Sequence, residues 1–160
     1  MTDIVVVGGG AAGMMAAVTA ARMGASVTLV ERNRKVGRKL YITGKGRCNV
    51  TNHCSPEEVR AAVSRNGKFL YSALEHTPPA WAEEFFETLG VPLKVERGNR
   101  VFPVSDKSAD IIDALFFELK RLKVPVIQGR VVRIHAHAVE LESGDRLSCK
   151  AVILATGGLS

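Results

Sequence analysis

The sequence has little cysteine, little aromatic character and no long apolar run. Three cysteines stand among 160 residues, an odd number spaced C-x5-C and then far away. That excludes a disulfide-stapled framework and fits a reducing, cytoplasmic setting. Aromatic residues make up 6% of the chain, with a single tryptophan. The longest weakly apolar stretch, Ala11–Ala21, is short, alanine-rich and broken by Gly13 and Thr19, so no bilayer-spanning segment and no membrane partner are expected. No basic n-region or cleavage site precedes Ile4, hence no secretory signal. The remaining composition, 46% hydrophobic and 24% charged, is that of a globular domain, and the length suits one domain with its own core.

The charge is unevenly placed. Of the net +6, the window Glu31–Arg47 holds seven basic residues (Arg32, Arg34, Lys35, Arg38, Lys39, Lys45 and Arg47) against one acid, and the rest of the chain carries fifteen of each sign. A nucleic-acid surface spreads its cations along a face or helix. These lie in a glycine-punctuated loop, so a compact anion such as a pyrophosphate is expected and nucleic acid is not.

The opening reads as one βαβ unit. Ile4–Val7 is a continuous β-branched run, as expected of a strand buried on both faces. Gly8-Gly9-Gly10 forces a tight turn, Ala11–Met23 follows as a helix, and Gly24 stops it in the left-handed conformation that costs glycine nothing. Val27–Val30 is a second buried strand, parallel to the first through a right-handed crossover, and it delivers Glu31 at its C-terminal end. Beyond the basic loop, Pro56–Ser64, Lys68–His76 and Pro79–Leu89 read as short helices and Val91–Val104 as extended chain broken at Gly98-Asn99. A helical segment of about residues 56–104 is thus inserted.

Asp106–Lys123 carries Ile111, Ile112, Leu115, Phe116, Leu119 and Leu122 on one helical stripe. Val124–Gln128 is a third parallel strand. Arg130–Ala136, Ala138–Glu142 and Arg146–Lys150 form an antiparallel meander, and Ala151–Ala155 is another buried strand, ending in Thr156-Gly157-Gly158. The class is α/β: a Rossmann-like fold with a parallel sheet and a small antiparallel meander. A strand feeding a Gly-Gly turn should lead into a further element. The fold is therefore expected to be incomplete at the C-terminus, with residues 1–160 as the N-terminal part of a longer domain.

Gly8-x-Gly10-x-x-Gly13 follows a strand and opens a helix, with Glu31 eighteen residues beyond. Gly8 allows the tight turn, Gly10 lets the backbone approach a pyrophosphate, and Gly13 lets helix and strand pack closely. The helix N-terminus, with Ala11 and Ala12, offers N–H groups and a partial positive charge to the phosphates. Glu31 would accept hydrogen bonds from a ribose diol, and it argues against an NADP 2′-phosphate. NAD and FAD share this fingerprint. The second glycine turn, Thr156-Gly157-Gly158, and the meander before it favour FAD, since a plain NAD domain would place a crossover helix there.

The stretch Gly37–Asn52 (GRKLYITGKGRCNVTN) resembles the signature of the BaiN-like, aminoacetone-oxidase-type NAD(P)/FAD-dependent oxidoreductases, as do Arg100–Lys107 (RVFPVSDK) and the Ala-Thr-Gly-Gly end. The resemblance covers the whole chain but only the N-terminal portion of a family member. It implies a flavoprotein that passes electrons between FAD and a small-molecule substrate, with a nicotinamide nucleotide as electron donor, and a site completed by residues absent here. The 160-residue chain alone is accordingly expected to bind FAD weakly and to lack turnover.

The residues agree with this reading. Arg32, Arg38, Lys39 and Arg47 can neutralise phosphates. Gly44 and Gly46 permit close backbone approach to a cofactor, Cys48 lies in the same motif, and Thr43, Asn49 and Asn52 suit the polar edge of a flavin ring. Val131, after Gly129-Arg130, resembles the position where related flavoproteins hold adenine through backbone groups. The stretch is not a Walker loop, because Gly46 stands where Ser or Thr is needed.

Cys48 and Cys54 with His53 suggest a redox dithiol, but their five-residue spacing favours incidental thiols. His135 and His137 lack the further ligands of a metal site, so no metal is expected. Phe85-Phe86 and Phe116-Phe117 read as core residues, and Trp81 as helix packing. No catalytic cluster stands out; a flavin would itself carry the hard chemistry. Two other readings share the fingerprint: a dinucleotide-binding module without catalysis, and a flavin-dependent RNA-modifying enzyme.

Overall fold

Uninterrupted β-branched runs need cover on both faces, and the first and second strands obtain it. The computed structural model describes residues 2–158. In chain order the elements open with β1 (Thr2–Val7), α1 (Ala11–Arg22), β2 (Val27–Glu31) and α2 (Arg38–Ile42). Next come β3 (Thr51–Asn52), α3 (Pro56–Ala62), α4 (Tyr71–His76), α5 (Pro79–Thr88), β4 (Leu93–Glu96) and β5 (Arg100–Pro103). The chain continues with α6 (Ser108–Arg121), β6 (Val126–Gln128), β7 (Val131–His135), β8 (Ala138–Leu141) and β9 (Arg146–Leu154). It divides into two compact units, one of the residues up to Leu40 with those from Leu115 on, the other Tyr41–Ala114.

The first unit is built on a six-stranded sheet in the order β6-β2-β1-β9-β8-β7. The β6, β2, β1 and β9 neighbours are parallel, and β7, β8 and the first part of β9 form the antiparallel meander. Helix α1 packs on β1, β2 and β9. Val5, Val7, Val30, Val139, Leu141 and Cys149 form one core cluster. Val6 and Leu29, which alternate to the opposite face, are fully buried, as are Met14, Ala17 and Val18 of α1. The helix ends where Gly24 takes φ +89°.

One expectation is corrected here. Arg146–Lys150 and Ala151–Ala155 are a single strand, β9, and the polar-to-apolar change at Lys150 marks a change of neighbour. Its first residues pair antiparallel with β8 (Glu140 opposite Arg146), whereas Cys149–Leu154 pair parallel with β1 (Val7 opposite Leu154). Nor is this second half the buried strand expected. Val152 and Ile153 are half-buried and Leu154 is exposed.

In the second unit β3, β5 and β4 make an antiparallel sheet whose Val101, Phe102 and Pro103 are buried. Helix α3 opens with a reciprocal cap: the Glu58 N–H donates to Ser55 Oγ and the Ser55 N–H to Glu58 Oε2. Phe85 and Phe86 are core residues, and Trp81 stacks on Phe85 at 5.3 Å between ring centroids. The basic loop contains the short helix α2 and then an irregular turn over Thr43–Gly46, in which Gly44 and Lys45 leave the helical region. The helix expected over Lys68–His76 is a 3-10 turn, Gly67–Leu70, followed by α4.

Helix α6 keeps its stripe, with Ile111, Leu115 and Leu119 buried. Phe117, expected in the core, is 62% exposed, because it lies off that stripe. Buried beside Leu119 instead is Glu118, 3% exposed. Its carboxylate accepts hydrogen bonds from Arg121 (Nε 2.7 Å, Nη2 2.8 Å) and from Arg22 Nε at 2.8 Å. Arg121 first and then Arg22 hold the carboxyl down from 4.5 to about 2, against the opposing effect of burial.

A carboxyl depressed in the folded state contributes stability that is complete above its unfolded pKa and lost as pH falls through the folded one. Glu118→Gln is therefore expected to lower stability at pH 7 by about 2 kcal/mol, given that both arginines are partly solvated. The deficit should shrink between about pH 4.5 and pH 2. Urea melts of both proteins across that range measure the gap.

Candidate functional site

The parallel strands of the first unit end level with one another, and their ends carry the fingerprint. The Gly8 N–H donates to the Val30 carbonyl and the Ala155 N–H to the Val7 carbonyl, both at 2.8 Å, while the Gly129 N–H reaches the Glu31 carbonyl at 2.9 Å. Gly8, Glu31, Ala155 and Gly129 are thereby set side by side at the C-terminal edge of the parallel sheet, where ligands of open α/β folds bind.

Two glycines are required by space. A Cβ on Gly13 would run into the Gly8 carbonyl oxygen, and one on Gly8 (φ +109°) into the Ala155 carbonyl. Turn, helix and final strand approach more closely than side chains permit. Gly10 differs, since a Cβ there would meet nothing within 4 Å; its surface is open. The Gly10 carbonyl accepts from the Met14 N–H at 2.9 Å. No side chain caps the helix and no acid stands in its first turn, so the leading N–H groups at Ala11 and Ala12 face outward with the positive end of the dipole.

Glu31 is buried, and each carboxylate oxygen is engaged. Oε2 accepts from the Gly9 N–H at 2.6 Å, and Oε1 from the Asn33 N–H at 2.8 Å and Asn33 Nδ2 at 2.5 Å. A carboxylate oxygen has two lone pairs, so capacity is left for a further donor. The Gly37 N–H donates to the Gly9 carbonyl at 2.8 Å, folding residues 32–37 back over the turn. Arg38 Nη1 donates to Asn33 Oδ1 at 3.3 Å. Arg32, Arg38 and Lys39 are exposed. Val131 stands half-buried two residues after Gly129, at an irregularity in the β7–β8 register. Thr156, Gly157 and Gly158 are exposed, and both glycines have open space around them. Asn33, Gly9 and Gly37 escaped sequence reasoning; only an Asn two residues past an acid, a common local hydrogen-bonding pattern, hints at the first.

The other six expected site residues sit together on one turn of the second unit. Gly44, Lys45 and Gly46 take φ of +57°, +58° and +86°, and Cys48 +60°, conformations that non-glycine residues hold only under constraint. Backbone bonds from Arg47 to the Gly44 carbonyl (3.3 Å) and from Cys48 to the Thr43 carbonyl (3.1 Å) close the turn. Asn49 Nδ2 donates to the Thr51 and Val101 carbonyls. Arg47 is bound within the chain: Nη2 meets Glu96 at 2.5 Å, Nε donates to Asp106 at 2.8 Å, and the guanidinium lies 4.1 Å from the Phe102 ring centroid. Glu96 and Asp106, far away in sequence, gave no signal as its partners. Lys94 completes the group on Asp106 at 2.7 Å.

Burial pushes the Cys48 thiol up, opposed by a hydrogen bond with the Thr43 side chain. Cys54 is raised by burial and by Glu58 and Glu83. A reactive thiol needs the opposite shift. Among the described residues no three His, Cys, Asp or Glu side chains gather as a metal site, and no helix is long and apolar enough to cross a membrane.

The chain is 34% identical over 166 residues to a 3-dehydro-bile acid delta(4,6)-reductase of Clostridium scindens, covering 99% of this chain and 39% of that protein. It is 29% identical over 162 residues to a ribosomal RNA dihydrouridine synthase of Escherichia coli, covering 99% and 40%. The chain thus spans about two fifths of the length of these relatives. The open conformation of a flavocytochrome c3 fumarate reductase has the same fold over 98% of this chain and 34% of its own, at TM-score 0.70 and 22% identity. A family model described as the HI0933-like protein Rossmann domain matches residues 2–160, which bears out the resemblance read from residues 37–52: the chain belongs to the HI0933-like family.

Proposed function

We propose that the chain binds FAD at the C-terminal edge of its parallel sheet and serves a flavoprotein oxidoreductase acting on a small organic substrate, with a nicotinamide nucleotide as electron donor. The observation that carries this is the pairing of an open, uncapped helix N-terminus at Gly10 with a buried carboxylate, Glu31, fixed beside it through Gly9. That arrangement fits the ADP half of FAD: an anion acceptor next to a diol acceptor.

Gly10, Ala11 and Ala12 would receive the pyrophosphate, and Gly8 and Gly13 hold that turn in shape. Glu31 would accept from the ribose hydroxyls, Val131 would meet adenine through its backbone, and Arg32, Arg38 and Lys39 would screen the phosphates. Thr156, Gly157 and Gly158 form the second glycine turn. Thr43, Asn49 and Asn52 would meet the polar edge of the flavin, and Gly44, Gly46 and Cys48 would line its approach on a turn that Arg47 holds through Glu96 and Asp106. The bound flavin supplies the two-electron chemistry. A cytoplasmic location is supported by three free cysteines.

A second reading gives the same flavin an RNA substrate. It is favoured by the name of the E. coli relative, a ribosomal RNA dihydrouridine synthase. Incubating the full-length, FAD-loaded protein and NADPH with ribosomal RNA, then weighing the nucleosides by mass spectrometry, separates the two. A two-hydrogen gain on uridine selects RNA; none, with consumption of NADPH by an unsaturated ketone, selects the small molecule.

Two substitutions test the cofactor site by FAD titration. Glu31→Ala removes a charge-assisted acceptor and should weaken FAD by roughly ten- to hundredfold. Unchanged affinity would remove Glu31 from the site. Gly10→Ala has room in the structure and should leave the melting temperature unaltered, yet weaken FAD by about tenfold because the methyl group stands where the pyrophosphate approaches. Equal affinity would place the phosphates elsewhere.

A further inference from the structure

An aromatic ring stands out from the second unit among unpaired cations. Phe69 is 87% exposed, more than any other large apolar side chain among the described residues. The turn that carries it is held firmly. Asn66 takes φ +56°, the Phe69 N–H donates to the Asn66 carbonyl at 2.9 Å, and a Cβ on Gly67 would approach the Arg60 carbonyl to 2.7 Å. The turn is thus locked against the end of α3 with the ring outward. It lines an open hollow of about 800 Å³ with Arg65 and Lys68, and neither cation has a carboxylate partner among the described residues. Arg60 lies 4.8 Å from the Tyr71 ring centroid at its edge. Arg60 is paired with Glu57 at 3.3 Å, which leaves Arg65 and Lys68 as the cations beside the ring.

We propose that this surface docks single-stranded RNA, with Phe69 stacking on an unpaired base and Lys68 and Arg65 taking the flanking phosphates. A single strand repeats a flat π face and a negative charge at every nucleotide, and an exposed ring between free cations complements both. A membrane surface would call for a broader apolar face than one ring. The proposal rests on the RNA reading above and adds the residues that would hold the strand.

The test is fluorescence anisotropy of the full-length, FAD-loaded protein with a fluorescein-labelled oligouridylate, its duplex with oligoadenylate, and phosphatidylserine vesicles. Phe69→Ala should weaken the single strand about tenfold and leave the duplex unaffected, and Phe69→Tyr should restore binding. Arg65→Gln and Lys68→Gln should each flatten the salt dependence of single-strand binding by about 0.7 in log–log slope. Because all three side chains are exposed, the variants should fold like the parent, which a thermal melt verifies. Single-strand binding that ignores Phe69→Ala overturns this surface and leaves the RNA reading standing. Absence of any single-strand binding overturns both. Phe69-dependent capture by vesicles, without RNA binding, assigns the surface to a membrane and overturns the proposal.

Discussion

The first unit depends on a steric constraint: three backbone segments meet where no side chain fits. The Gly8 carbonyl lies where a Cβ of Gly13 would be, and the Ala155 carbonyl where a Cβ of Gly8 would be. Only glycine allows helix α1 to start directly on the end of β1 while β9 finishes alongside. From that contact follow the exposed N–H groups of α1, the position of the Gly9 N–H against Glu31, and the return of residues 32–37 over the turn. The open helix N-terminus and the buried carboxylate are two results of one close approach.

The second unit solves a different problem with charge. A turn that holds Lys45 and Cys48 at positive φ needs surrounding contacts to sustain it, and Arg47 provides them through Glu96, Asp106 and Phe102. The arginine density of residues 32–47 therefore serves two purposes. Arg32 and Arg38 stay at the surface of the first unit, whereas Arg47 is neutralised inside the second.

What the sequence made legible follows from the range of the interactions involved. The βαβ unit, the glycine fingerprint and Glu31 are local patterns, each readable within thirty residues, and the structure reproduces their elements nearly to the residue. Strand β9 was divided in two because its polarity switches at Lys150, and only the pairing partners show that one strand borders two environments. The Arg47 group joins residues about fifty and sixty apart, which spacing does not reveal. Phe117 was misplaced for a local reason: adjacent aromatics on a helix point about 100° apart, so only Phe116 keeps near the stripe.

The split pairing of β9 also has a consequence for how the protein is made. Residues 2–7 pair with residues 149–154, so β1 waits for a strand far along the chain before its second edge is covered. Such distant pairing raises contact order and slows folding, and meanwhile an apolar edge remains open to wrong partners. The carbonyl that confines Gly8 belongs to Ala155, so the dinucleotide turn reaches its final shape only when that strand docks. The glycine fingerprint lies within the first thirteen residues, yet its geometry is set by a strand far along the chain.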